Sequence, residues 1–255
     1  MKATPRSNRR RFLRNSFGAA LTAVLGGCGA ISENRSVRNV LGAGEWLSLK
    51  VQRALLPRNR LAREYTEADI SPYFKPNGTN DPDDPHYQAL AARNFVDWRL
   101  VIDGLVERPT QLSLAELRAL PSRTQITRHD CVEGWSCIGK WKGVRLAALL
   151  EHAGLSPRAR YIVFYCADTL DGAQYYESVD LVDAFHPQTI LAYDMNDRPL
   201  SIPHGAPLRL RVERQLGYKM AKYVMRAEAV ESFARLAGGK GGYWEDQGYE
   251  WYAGI

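Results

Sequence analysis

Residues Leu208-Arg-Leu-Arg-Val-Glu213 alternate apolar and charged side chains without a break. Period-two alternation places every apolar group on one face of a strand. A strand with one apolar face needs a second layer to cover it, so the chain must build a layered, sheet-containing domain. Other runs agree. Trp98–Asp103 reads as a strand ending at Gly104, Tyr161–Cys166 is β-branched and aromatic, and Tyr223–Arg226 is a further strand segment. Helix signals fall between them. Ser113-Leu-Ala-Glu116 is a capping box that opens a short helix stopping before Pro121. Val144–Ala153 is helical in pattern and closes at Gly154. Upstream, Leu47, Val51, Ala54 and Leu55 follow helical spacing over Trp46–Leu56 until Pro57. Residues 29–45, polar with glycines, read as a tether, and residues 71–88, with four prolines, read as a loop. Strands outnumber helices and interleave with them. The expected fold is a mixed, β-rich α+β single domain over 93–255, preceded by a tether and helical or loop extension over 28–92. The full 255 residues are ample to bury its core.

The net charge of +6 is unevenly distributed. Lys2, Arg6, Arg9, Arg10, Arg11 and Arg14 lie within residues 1–27, which hold no acid; the remaining 28 basic residues match the chain's 28 acidic ones. A globally basic, nucleic-acid-binding surface is therefore not expected. The apolar run Phe17–Gly27 is shorter than the roughly 20 residues a membrane-spanning helix needs. Basic residues followed by a short apolar run have signal-peptide form. Arg9-Arg10, one residue, then Phe12-Leu13 resembles a twin-arginine export motif, so residues 1–27 read as an export signal to the periplasm or cell envelope. Leu25-Gly-Gly-Cys28 resembles a lipobox, making Cys28 a candidate lipid anchor.

The densest chemistry lies in Arg128-His-Asp-Cys-Val-Glu-Gly-Trp-Ser-Cys-Ile-Gly-Lys-Trp-Lys-Gly143. Spacing leaves several readings of Cys131 open. It can pair with Cys137 in a disulfide, which an exported compartment permits. It can join His129 and Cys137 at zinc, although Cys-x5-Cys fits no common structural zinc pattern. It can be a lone thiolate for a soft metal or a nucleophile, with Arg128 and His129 beside it, or simply an inert buried cysteine.

Four blocks in order carry a resemblance. Arg128-His-Asp-Cys131-Val-Glu-Gly-Trp-Ser is followed by Trp141-Lys-Gly-Val-Arg-Leu-Ala-Ala-Leu-Leu150. Then come Leu191-Ala-Tyr-Asp-Met-Asn196 with Pro199-Leu-Ser-Ile-Pro-His-Gly-Ala-Pro-Leu-Arg-Leu210, and Gly217-Tyr-Lys-Met-Ala-Lys222. From about Arg93 to Ile255 this resembles the sulfite oxidase family of molybdenum enzymes. The nearest likeness is to its compact bacterial branch of methionine sulfoxide reductases. The resemblance implies a molybdopterin-binding domain in which the Cys131 thiolate ligates molybdenum and a pyranopterin dithiolene supplies the other sulfurs. A soft thiolate suits a metal that cycles between oxidation states, and the cofactor carries the hard chemistry.

The same resemblance assigns cofactor-binding positions. Cys166 stands 35 positions after Cys131, where the reductases have a threonine at the pterin; its alternative reading is a core residue ending a buried strand. His204 stands where they have an asparagine. Arg209 matches a cofactor-binding arginine, although strand alternation alone would place it on a solvated face. Met220, Ala221 and Lys222 match a segment that cradles the pterin phosphate. Arg93, Asn94, Val96 and Asp97 resemble a block that approaches the pterin and metal. No haem-domain segment or C-terminal dimerisation domain is expected, which makes a monomer the default. No haem or iron–sulfur cysteine pattern is seen, so electrons come from a partner, a membrane haem protein or a soluble cytochrome. The implied activity is two-electron oxo transfer on a sulfoxide-type or other small oxidised substrate. Sulfite oxidation and a non-catalytic lipid-anchored binding protein are the alternatives. The segment 243–255, rich in aromatics, either lines a pocket or clamps the domain.

Overall fold

The computed structural model describes residues 35–55 and 57–255, and the leader motif and Cys28 lie outside them. The chain divides into two units, residues 1–51 and 52–255. Helix α1 spans Arg35–Leu55. It begins eleven residues earlier than the spacing predicted and takes up most of the expected tether. Arg35, Arg38, Leu41 and Ala43 are good helix formers, and glycines at 42 and 44 weaken a helix by about 1 kcal/mol each without ending it. Pro57 follows its end.

Two five-stranded sheets make up the second unit. The strands of one are β1 (Arg99–Gly104), β2 (Thr110–Ser113), β5 (Tyr161–Leu170), β6 (Ala173–Asp180) and β10 (Val224–Val230), in the order β2-β1-β10-β5-β6. The other holds β3 (Ser122–Asp130), β4 (Ser136–Arg145), β7 (Ile190–Met195) and β8 (Arg198–Pro199) in that order, with β9 (Arg209–Arg211) also paired to β7. Among the described strands only β1 and β10 pair in parallel, with Val101 opposite Arg226. The fold is the mixed α+β, sheet-rich single domain expected.

The helices obey their local signals, with shifted limits. Asp84 caps α2 (Pro85–Ala92) by accepting from the Tyr87 N–H at 2.7 Å, so the helix starts inside the segment read as loop. Pro85 suits a first helical position because its missing N–H is not needed there. The capping box of Ser113 and Glu116 opens α3 (Leu114–Ala119). Helix α4 (Leu146–Ala153) ends at Gly154 with φ 71°, and its expected first residues, Val144 and Arg145, remain in β4. It buries Leu146, Leu149, Leu150 and Ala153 on one face. Two short helices follow, α5 (Leu181–Ala184) and α6 (Tyr243–Asp246).

Strand β7 explains the layering. Leu191 and Tyr193 join the main core with Leu100, Ile102, Phe164 and Leu210. Ile190 and Ala192, on the opposite face, pack with Phe74 and Trp141 in a second core. The second sheet is thus covered on both sides. The charged side chains of 208–213, which alternation alone would place in solvent, therefore lie inside. Arg209, Arg211 and Glu213 are 1%, 0% and 3% exposed, and the charged face of β9 is buried. The Arg211 guanidinium carbon lies 4.2 Å from the centroid of the Trp141 ring and that of Arg209 5.0 Å.

Candidate active site

Three segments meet at a cleft of about 130 Å³. The first is the turn between β3 and β4. Cys131 donates its N–H to Trp135 O at 2.9 Å, and Gly134, at φ 85°, donates to Cys131 O at 3.0 Å. This closes a tight turn with Cys131 on the cleft wall, 9% exposed. Cys131, Cys137 and Cys166 are free thiols, so no disulfide joins the first two. Cys137 sits directly across from His129 on the antiparallel pair, and among the described residues no cluster of three metal-ligating side chains occurs. The disulfide and zinc readings both fall.

The second segment, residues 217–222, lies against His129. A Cβ on Gly217 would stand 2.4 Å from His129 Nε2, so only glycine lets the two segments approach this closely. His129 is fully buried. Arg211 Nη1 donates to its Nδ1 at 3.0 Å, and Met220 Sδ lies 3.2 Å from the same nitrogen. Burial, then the cations Arg211, Arg209 and Lys222, hold this imidazole well below its ordinary pKa and keep it neutral. With Nδ1 accepting, the proton sits on Nε2, which is buried without a hydrogen-bond partner.

The third segment is the loop before α2. Ser71 N–H donates to Ile138 O at 3.0 Å and Ser71 Oγ accepts from Ile138 N–H at 2.9 Å, which fastens the loop along β4. Phe74 is buried edge-on against Trp141, 5.3 Å between centroids. Asn77, Gly78 and Thr79 then form part of the cleft wall. Lys222 Nζ donates to Thr79 O and, at 2.9 Å, to Pro203 O.

Electrostatics give the cleft its character. Arg209 is fully buried, donates from Nη1 to His204 O at 3.0 Å, and has an unpartnered Nε. Neither Arg209 nor Lys222 has a carboxylate within ion-pair distance, whereas neighbouring Arg211 pairs with Glu213 at 2.7 Å. Burial first and Arg211 second press Arg209 down to about 9; burial first and Arg209 second press Lys222 down to about 7. Asn77 Oδ1 is a buried acceptor without a partner. Two desolvated cations and an idle polar atom at one site fit a group that brings its own negative charge and hydrogen-bonding edges, as a pterin phosphate does.

The structure brings together Cys131, Met220 and Lys222 on the cleft wall, with Ala221 and Arg209 buried behind it. His204 backs the same region: its Nε2 lies 3.0 Å from Phe74 O and its Nδ1 2.7 Å from Ser201 Oγ. Cys166 is fully buried in the main core, opposite Val224, within a strand that continues to Leu170 instead of ending there. The Arg93–Asp97 block is not at the cleft. Arg93 and Asp97 form an exposed ion pair, Val96 is exposed, and Asn94 and Phe95, at φ 52° and 57°, turn the chain from α2 toward β1. Sequence reasoning missed Asn77–Thr79, whose Asn-Gly pair marked only a turn. It also missed Asp168, 4% exposed, which burial raises to about 6. Within 243–255 both readings hold: Trp244 and Tyr249 line the cleft, while Trp251 stacks on Phe233 at 5.8 Å.

A family model described as oxidoreductase molybdopterin binding domain matches residues 87–235. The chain is 39% identical over 246 residues to the putative protein-methionine-sulfoxide reductase subunit YedZ1 of Azospira oryzae, covering 96% of this chain and 87% of that protein. It is 34% identical over 192 residues to the protein-methionine-sulfoxide reductase catalytic subunit MsrP of Xanthomonas campestris, covering 70% of this chain and 59% of that one. Among solved structures, the sulfane dehydrogenase SoxCD of Paracoccus pantotrophus aligns with a TM-score of 0.49 at 25% identity, covering 54% of this chain and 39% of that one. The chain therefore belongs to the sulfite oxidase family of molybdenum-dependent oxidoreductases and uses a molybdenum–molybdopterin cofactor.

Proposed function

We propose that this oxidoreductase reduces sulfoxides at a molybdenum ligated by Cys131. In the net reaction two electrons and two protons remove the sulfoxide oxygen as water and leave a thioether. The observation that carries the reading is the lining of the cleft. Beside Cys131 its charged members are Glu133, Asp168 and Lys222, with no arginine, and its wall includes Tyr218, Trp244 and Tyr249. A sulfite anion calls for several converging arginines. A neutral, dipolar sulfoxide with apolar substituents suits an aromatic wall, against which sulfur packs well. The names of the relatives from Azospira and Xanthomonas point the same way.

The bound cofactor supplies two-electron oxo-transfer chemistry. The chain's own residues do the rest. Arg209 and Lys222 hold the phosphate, and Asn77 offers an acceptor to the pterin ring. Neutral His129 fixes Met220 and the floor below the Cys131 turn. Trp244 and Tyr249 exclude water and seat the substrate's apolar flank. Electrons enter from a partner, a membrane haem protein or a soluble cytochrome; robust turnover with a nicotinamide as sole donor would refute this.

Metal and pterin analysis of the purified protein, followed by assays with methionine sulfoxide and with sulfite, tests the activity. Cys131→Ser replaces a soft thiolate with a hard hydroxyl; activity falls by orders of magnitude while much cofactor stays bound. Cys137→Ser has little effect. Equal losses in the two variants, or turnover of sulfite alone, would overturn the assignment.

Export by the twin-arginine route with a lipid anchor at Cys28 completes the proposal. Among the described residues no helix is long and apolar enough to cross a membrane. Arg9→Lys with Arg10→Lys leaves the protein in the cytoplasm, and Cys28→Ala abolishes incorporation of a labelled fatty acid and makes any membrane attachment extractable by high salt. Persistent export, or undiminished fatty-acid labelling of Cys28→Ala, refutes the respective part.

A further inference from the structure

Helix α1 carries an apolar stripe that is exposed to solvent. Trp46, Leu47 and Val51 are 60%, 55% and 44% exposed, and all three lie in the first unit. Leu47 and Val51 are one helical turn apart, and the same spacing reaches Leu55, 75% exposed. Lys50 stands among them, its Nζ 5.8 Å from the centroid of the Trp46 ring. Soluble surfaces seldom leave such residues contiguous and open without a partner.

Charge says which partner. Residues 35–63 contain seven basic side chains, Arg35, Arg38, Lys50, Arg53, Arg58, Arg60 and Arg63, and one acid, Glu45. Arg53 is paired with Asp180 and Asp183. Residues 64–255 contain 21 basic and 26 acidic side chains. The formal charge is therefore +6 over residues 35–63 and −5 over residues 64–255. An anionic surface attracts the first and repels the second, which fixes an orientation as well as an attraction. A protein partner with one small acidic patch would not require the cations spread along 29 positions of sequence. A lipid surface, continuous in charge and apolar just beneath, takes Trp and Leu into its interface and Lys and Arg at its headgroups.

We infer that α1 lies on an anionic lipid bilayer, with Trp46, Leu47 and Val51 inserted at the headgroup boundary and the neighbouring cations on the phosphates. This contact is independent of the reaction catalysed and of any acyl chain. A single acyl chain binds membranes only marginally, so α1 acts as the second of two anchoring signals where Cys28 is lipidated.

The test uses holoenzyme carrying Cys28→Ala, so that no acyl chain contributes, sedimented with vesicles of phosphatidylcholine alone or mixed with phosphatidylglycerol. The protein binds the mixed vesicles, and binding weakens as salt rises. Trp46→Ser/Leu47→Ser/Val51→Ser weakens binding by at least about tenfold, and Lys50→Glu weakens it less. Molybdenum content and melting temperature stay unchanged, since the positions are on the surface. Four results would overturn the inference: no binding by the unaltered helix, undiminished binding by the triple variant, equal binding to neutral vesicles, or a solution dimer that the triple variant abolishes without any vesicle binding.

Discussion

Two buried cationic groups in this domain are neutralised in opposite ways. Lys219 is fully buried and donates to both Glu177 and Glu245, the latter at 2.5 Å. Burial alone would lower its pKa, but the two glutamates raise it overall. The cluster has one carboxylate more than it needs. Burial, reinforced by Glu245, drives Glu177 well above the carboxylate range, and the second oxygen of each glutamate is unpartnered. A retained proton on Glu177 makes the cluster neutral. Arg209 and Lys222 have no such partners and sit at about 9 and about 7. Only three positions separate Lys219 from Lys222, yet one is part of the fold and the other is set for something the fold does not contain. A buried charge met by the chain's own acid is structural; a buried charge left unmet implies an anionic ligand.

Lys219→Met breaks the contrast most severely. It strands the buried Glu245 carboxylate beside protonated Glu177 and destabilises the domain by about 3–5 kcal/mol, read by urea unfolding. Arg209→Met comes next, with the reverse signature. Cofactor affinity falls by about 10–100-fold, equivalent to one lost charge-assisted hydrogen bond of about 1.5–3 kcal/mol. The cofactor-free protein becomes no less stable, because an unpaired buried charge has been removed. Molybdenum content and melting temperature, measured on the same samples, separate the two effects. A stability loss in cofactor-free Arg209→Met as large as that of Lys219→Met would erase the distinction.

A pH series sharpens it further. Lys222 is held near 7 when folded, against an ordinary value of 10.5. Between those values the unfolded chain binds the additional proton, so the stability of the cofactor-free protein rises with pH across that window. Below about 7 both states are protonated and the penalty is at its full extent. With the phosphate bound, Lys222 stays charged and the slope flattens. Urea unfolding at pH about 7 and about 9.5, with and without cofactor, reads the difference. The smallest effect belongs to Glu245→Gln, which removes the surplus acid isosterically and changes stability by less than about 1 kcal/mol.

The sequence was most informative where structure is local. The Ser113 capping box and the Gly154 stop both stand where the residues put them. Burial was the weak point. Period-two alternation says that β9 has two faces, not that both are covered, and the covering loop with Phe74 is over 130 residues away in sequence. The four-block resemblance drew Cys131, Arg209 and the 220–222 segment to one place. It misplaced the N-terminal wall of the cleft at 93–97, because a short degenerate block carries little information. Residues Asn77–Thr79 form that part of the wall, in a loop whose Asn-Gly pair marks only a turn.

The parallel pairing of β1 with β10 has a bearing on biogenesis. Val101 finds its neighbour at Arg226, so the central strand of the first sheet arrives about 125 residues after the strand beside which it inserts. Such a non-local closure is slow, since the entropy of a long loop is lost before any contact rewards it. On the ribosome β1 waits with an open edge until nearly the whole chain has emerged, and the 217–222 segment that frames the cleft is made only shortly before β10. Cofactor insertion therefore follows synthesis instead of accompanying it, and a nascent chain halted before residue 224 has neither a closed sheet nor a place to hold the pterin.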